Sequence, residues 1–136
     1  MRVLFVDDDA GVIDFYTQVA RAKGYDEADV ARSGEEALTL VIRQPYDLIT
    51  LDIQMPGASG LEILSLLRSL SPHAVIAIVS GYIPDDPTGQ TAACADVLID
   101  KPVTVDTLSR LFDGAAKVGQ AMEAIRQLGR VPAAPR

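Results

Sequence analysis

The chain has 136 residues, a formal net charge of −7, 49% hydrophobic residues and a single cysteine. That length suits one domain with a real core, and the apolar share excludes a disordered chain. One cysteine excludes an internal disulfide and a cysteine-based zinc cage, and the acidic balance argues against direct nucleic-acid binding while suiting a protein that gathers divalent cations.

The start, Met1-Arg2-Val3-Leu4, enters a strand-like run with no room for a signal peptide. Val3–Val6 is continuously apolar, as a strand buried on both faces requires. It runs straight into Asp7, Asp8 and Asp9. Two carboxylates brought to ~4 Å repel by on the order of 4 kcal/mol at an effective dielectric near 20, so something must offset the cluster. Asp9 is expected to cap the helix that follows. Residues 11–23 carry a helical stripe of Val12, Ile13, Tyr16, Val19 and Ala20, with Gly24 as a stop signal. A weak strand is expected at Ala28–Ala31, near a sheet edge because acidic residues flank it. Ser33-Gly34-Glu35-Glu36 is a capping box for a helix running to about Gln44.

Residues 47–51 form the third predicted strand, ending on Asp52. A helix follows over Gly60–Leu70, with Leu61, Leu64, Leu67 and Leu70 spaced by three. Residues 75–79 are the fourth strand, ending on Ser80-Gly81, and residues 97–99 the fifth, ending on Asp100-Lys101-Pro102. Between them Pro84, Pro87 and Gly89 restrict the fourth helix to a short one starting no earlier than about Pro87. Residues 104–117 read as a final amphipathic helix. Leu108, Leu111, Ala115, Val118, Met122 and Ile125 form a heptad-like seam that would carry this helix onward, unless Asp113-Gly114 breaks it. No apolar run approaches the roughly 20 residues that cross a bilayer, and a reducing, cytoplasmic setting is expected. The tail from Val131 onward reads as a frayed end or linker.

Strands alternating with helices predict an α/β domain with a parallel sheet. In such a sheet ligands bind beyond the carboxyl ends of the strands, where strand order reverses. Strand 1 delivers Asp7 and Asp8 there, strand 3 Asp52, strand 4 Ser80 and strand 5 Lys101. Singly, three aspartates read as a solvated turn, Lys101 as a surface lysine and Ser80 as a strand-end hydroxyl. Placed together they make a hard-oxygen cation site suited to Mg²⁺, and a phosphoryl-transfer set with Asp52 as nucleophile. His73, in a loop, reads as solvated, and Cys94 as a small buried apolar residue.

V-D-D-D at the first strand, L-D-I-Q-M-P-G-A-S-G around Asp52, V-S-G at the fourth strand and D-K-P at the fifth resemble the receiver domain of bacterial response regulators. The resemblance covers residues 1–118, leaving 119–136 as a C-terminal helical extension and flexible tail. It implies a flavodoxin-like (βα)5 doubly wound sandwich with strand order 2-1-3-4-5. It also implies that Asp52 accepts a phosphoryl group from a histidine kinase or histidine phosphotransfer protein. Asp7, Asp8, Asp52 and the backbone carbonyl of Gln54 would hold Mg²⁺, Ser80 would be the switch hydroxyl, and Lys101 would pair with the phosphoryl group. The Lys101-Pro102 bond would be cis, Met55-Pro56 and Gly57 to Gly60 match the turn after the acceptor, and Gln54 and Tyr82 flank the site. Leu98 stands where the family usually has an aromatic residue.

A single-domain phosphorylation switch follows, catalysing no reaction beyond its own phosphorylation and dephosphorylation. It would act on a downstream protein and touch neither nucleic acid nor membrane. A homodimer would form through the C-terminal helix or the face of the fourth helix, fifth strand and fifth helix. Two rival readings fit parts of the same pattern. One is a haloacid-dehalogenase-like phosphatase with Asp7 as nucleophile, which needs a second acidic pair beyond Lys101, where only Asp106, Asp113 and Glu123 occur. The other is a receiver-like module that binds without phosphate.

Overall fold

Strands β1 (Val3–Val6) and β3 (Leu48–Leu51) are buried along their whole length. Unbroken apolar runs allow this, because helices cover both faces of a parallel sheet. The protein is described by a computed structural model over residues 1–57, 60–83, 85 and 89–132. With β2 (Ala28–Ala31), β4 (Val75–Ser80) and β5 (Val97–Asp100) the strands form one parallel sheet in the order β2-β1-β3-β4-β5. This is the flavodoxin-like order, reversing at β1 as the sequence implies, and β2 lies at an edge as its acidic flanks suggest.

The helices are α1 (Ala10–Ala22), α2 (Gly34–Arg43), α3 (Gly60–Leu70), α4 (Gln90–Cys94) and α5 (Val105–Arg126). Alternation along the strands separates two cores. Leu4, Val6, Ile49 and Leu51 pack with α2 and α3, whereas Val3, Phe5, Leu48 and Val79 pack with α1 and α5. Asp9 caps α1 by accepting the N–H groups of Gly11 and Val12, and Ser33 caps α2 by accepting that of Glu36.

Some elements meet the sequence reading, as the short α4 and the exposed His73 do, and others depart from it. In α3 the buried residues are Ile63, Leu64 and Leu67, while Leu70 at the end of the leucine row is exposed. A strict three-residue spacing drifts around a 3.6-residue helix, so its last member leaves the core face. Helix α4 spans only five residues, starting at Gln90. Pro84, Pro87 and the tail at 133–136 lie outside the described residues, as do Ala58 and Ser59. Beside the short α4, edge strand β5 is poorly covered, and Leu98 is 48% exposed. Cys94 is half-buried against the α2–α3 core rather than fully enclosed, and His73 is exposed. Helix α5 runs without interruption through Gly114 to Arg126. Its 22 residues make about 33 Å of helix at ~1.5 Å per residue. Leu108, Phe112 and Ala115 anchor it, whereas Val118 and Ile125 further along are 46% and 58% exposed.

Candidate functional site

Each strand ending at the reversal of strand order delivers a polar side chain. Asp7 follows β1 and Asp52 follows β3, held by backbone bonds from Asp7 N–H to Ala31 C=O and from Asp52 N–H to Val6 C=O. Ser80 closes β4, and the Lys101 N–H donates to the Ser80 carbonyl, bringing the end of β5 beside it. Asp7 and Asp52 are only 1% and 5% exposed, whereas Asp8 points to solvent.

Around Asp52 three donors converge. The Ser80 hydroxyl donates to Oδ1 at 2.9 Å, the Gln54 N–H donates to the same oxygen at 2.8 Å, and the Lys101 ammonium donates to Oδ2 at 2.9 Å. Lys101 also donates to Asp7 Oδ2 at 2.7 Å, and Asp7 Oδ1 accepts the Asp9 N–H at 2.9 Å. The five polar residues at the strand ends are thus placed together, with Asp7, Asp52, Ser80 and Lys101 joined by hydrogen bonds. The resemblance assigns the Gln54 carbonyl to the metal, and the structure adds a contact from the Gln54 N–H to Asp52. The Lys101-Pro102 bond is cis, as the resemblance implies. Tyr82 is exposed. The turn after Asp52 depends on Gly60, where a Cβ would lie 2.6 Å from Ile53 Cα, so the chain folds back against the residue next to the acceptor.

Burial pushes the Asp7 carboxyl above its ordinary value, and the neighbouring Asp52 charge adds to this against the pull of Lys101 and the Asp9 N–H. Burial is also the largest influence on Asp52 and acts upward, but Lys101, the Gln54 N–H and Ser80 together outweigh it and hold the carboxyl below the usual range. Burial opposes the charge on Lys101, yet its two carboxylate partners win and raise its pKa.

One carboxylate oxygen from each of Asp7, Asp8 and Asp52 lies within 4.8 Å of the others. Trans ligands on Mg²⁺ stand about 4.2 Å apart, at roughly 2.1 Å from the ion, so a modest adjustment brings all three to one cation. An all-oxygen, carboxylate donor set beside an open, solvated aspartate fits Mg²⁺ with retained water.

The family model for the response regulator receiver domain matches residues 3–113. The chain belongs to that family. This receiver is 34% identical, over 139 aligned positions, to protein-glutamate methylesterase/protein-glutamine glutaminase 5 of Myxococcus xanthus, a match covering 99% of the chain and 40% of that protein. It spans about two fifths of the first curated relatives it matches. A CheY-like receiver from Methanospirillum hungatei superimposes with a TM-score of 0.79 at 29% identity, covering 88% of this chain and 97% of that one. A Burkholderia pseudomallei response regulator, whose crystal structure has a phosphorylated aspartic acid, calcium ion and citrate, superimposes with a TM-score of 0.73 at 29% identity. That match covers 92% of the receiver and 74% of the other chain.

Proposed function

We propose that this receiver is a phosphoacceptor switch in which Asp52 takes a phosphoryl group from the histidine of a kinase or phosphotransfer protein. The observation that carries the proposal is the set of donors on Asp52, an ionised, nearly buried carboxylate held by Ser80, Gln54 and Lys101 beside two further acids. A carboxylate oxygen of Asp52 attacks phosphorus, the P–N bond of phosphohistidine breaks, and its electron pair returns to the imidazole. Asp7, Asp8, Asp52 and the Gln54 carbonyl would hold Mg²⁺, which supplies positive charge to the phosphoryl oxygens. Lys101 supplies further charge, and the Ser80 hydroxyl, already turned toward Asp52, passes to a phosphoryl oxygen once one is present.

The movement of Ser80 shifts a two-state equilibrium that a downstream protein reads at α4 and β5. With Leu98 at the usual aromatic position and half exposed, that readout works through an aliphatic side chain. The receiver catalyses only its own phosphorylation and dephosphorylation in this proposal, and acts in the cytoplasm. Among the described residues no helix is long and apolar enough to cross a membrane. Self-association through α5 or the α4–β5–α5 face belongs to the same proposal, supported by the apolar residues exposed there.

Intact mass after incubation with acetyl phosphate and Mg²⁺ tests the chemistry. Wild type gains one phosphoryl group, and Asp52→Asn or omission of Mg²⁺ abolishes the gain. Label that survives Asp52→Asn but vanishes in Asp7→Asn would move the nucleophile to β1 and favour the phosphatase.

A further inference from the structure

Tyr16 lies in the apolar stripe of α1 at 1% exposure, its ring edge-on to Phe5 with centroids 5.4 Å apart. Its hydroxyl is buried without a hydrogen-bond partner among the described residues. An unpaired buried hydroxyl is destabilising, and phenylalanine would fill the same place without that penalty. Phe5 stands two residues before Asp7, so both side chains leave the same face of the sheet and Tyr16 packs beneath the acid cluster. Tyr16 also shares with Lys101, Pro102 and Val103 the wall of a cavity of about 510 Å³ between the start of α1 and the turn after β5. Burial pushes its phenol up to about 12, with Lys101, Asp7 and Asp52 also acting on it, so at neutral pH it is an uncharged donor and acceptor.

The Lys101 ammonium is shared between Asp7 and Asp52. A divalent cation held by the three aspartates competes for Asp7 and repels that ammonium. The displaced Nζ sits on a flexible four-carbon stem and needs an acceptor to replace the one it loses. Tyr16 lines the same cavity as Lys101, and its phenol oxygen has no partner among the described residues.

We propose that Tyr16 is a positioning residue of this site, its hydroxyl accepting a hydrogen bond from Lys101 when a divalent cation displaces that ammonium from Asp7. The inference rests on the proposed Mg²⁺-dependent phosphoacceptor function of the same cluster. It predicts that the hydroxyl strengthens cation binding from below the site without touching the ion.

The test is a calorimetric titration with Mg²⁺ alone, without phosphodonor, on wild type, Tyr16→Phe, Lys101→Met and the double variant, with a metal-free thermal melt of each. Tyr16→Phe should weaken Mg²⁺ binding about tenfold, the scale of a hydrogen bond to a charged group, while melting no lower than wild type without metal. In the Lys101→Met background the same substitution should change Mg²⁺ affinity by less than about twofold, because the coupling runs through the ammonium. Equal Mg²⁺ affinities for wild type and Tyr16→Phe would overturn this inference alone, as would an equal loss with and without Lys101. A wild type that bound no Mg²⁺ would overturn the proposed Mg²⁺-dependent phosphoacceptor function and this inference with it.

Discussion

Asp7 and Asp52 share one ammonium yet depart in opposite directions from the ordinary carboxylate value. The difference lies in donor count. Asp52 accepts from Ser80, Gln54 N–H and Lys101, whereas Asp7 accepts from Asp9 N–H and Lys101. With its pKa lowered, Asp52 contributes stability that is present above the unfolded value near 3.8 and lost as pH falls through its folded pKa. For Asp7 the sign reverses. Its ionised form is disfavoured by folding, so it lowers stability above its raised folded pKa, and that cost disappears as pH falls toward 3.8. Asp7→Asn should therefore melt higher than wild type without metal at pH 7. The advantage should shrink as the buffer is taken toward pH 4. Thermal melts of the two proteins across that range give the difference curve, and a variant that melts lower at neutral pH would contradict the sign.

Helix α5 decides between two alternatives that the sequence leaves open. Glycine in a helix interior costs about 1 kcal/mol relative to alanine, and Gly114 left open whether the helix stops there. Ala115, Ala116 and Lys117 follow it, all strong helix formers, and Ala115 is buried against the sheet, so helix formation continues. Local chemistry made the caps at Asp9 and Ser33 legible, since each depends on a side chain and N–H groups two or three residues away. The joint position of Asp7, Asp8, Asp52, Ser80 and Lys101 was legible because strand ends are marked by apolar runs. The exposure of Leu98 was not, because it depends on how little of β5 the five-residue α4 covers. Nor was the Gln54 N–H contact, a bond donated by the backbone and so independent of which side chain stands there. The buried anchors of α5 all precede residue 117, so a chain cut after Lys117 keeps its core. With Val118, Met122 and Ile125 as the seam, light scattering over a concentration series should show the full chain rising above its 14.5 kDa monomer mass while the cut chain stays monomeric. Equal monomeric masses for both would remove α5 as a contact between copies.

Across the whole molecule 19 acidic residues face 12 basic ones, and three of the acids meet at one rim. Any cation relieves the general repulsion by screening, so stabilisation by added salt says nothing about a site. A specific ion couples to folding differently, raising stability by RT ln(1 + [L]/Kd), about 2.7 kcal/mol at one hundred times Kd. Asp8 separates the two effects. It is exposed, while Asp7 and Asp52 are buried, so Asp8→Asn deletes a member of the cluster with little disturbance of the core. Without metal the variant should match wild-type stability to within about 0.5 kcal/mol, the usual range for a surface change. With Mg²⁺ at constant ionic strength wild type should gain stability that a chelator reverses, and Asp8→Asn should lose most of that gain. Urea titrations of both proteins, with Na⁺ substituted for Mg²⁺ at equal ionic strength as control, read the difference directly. A full Mg²⁺ gain in Asp8→Asn would place the ion elsewhere on the acidic surface, and an equal gain from Na⁺ would reduce it to screening.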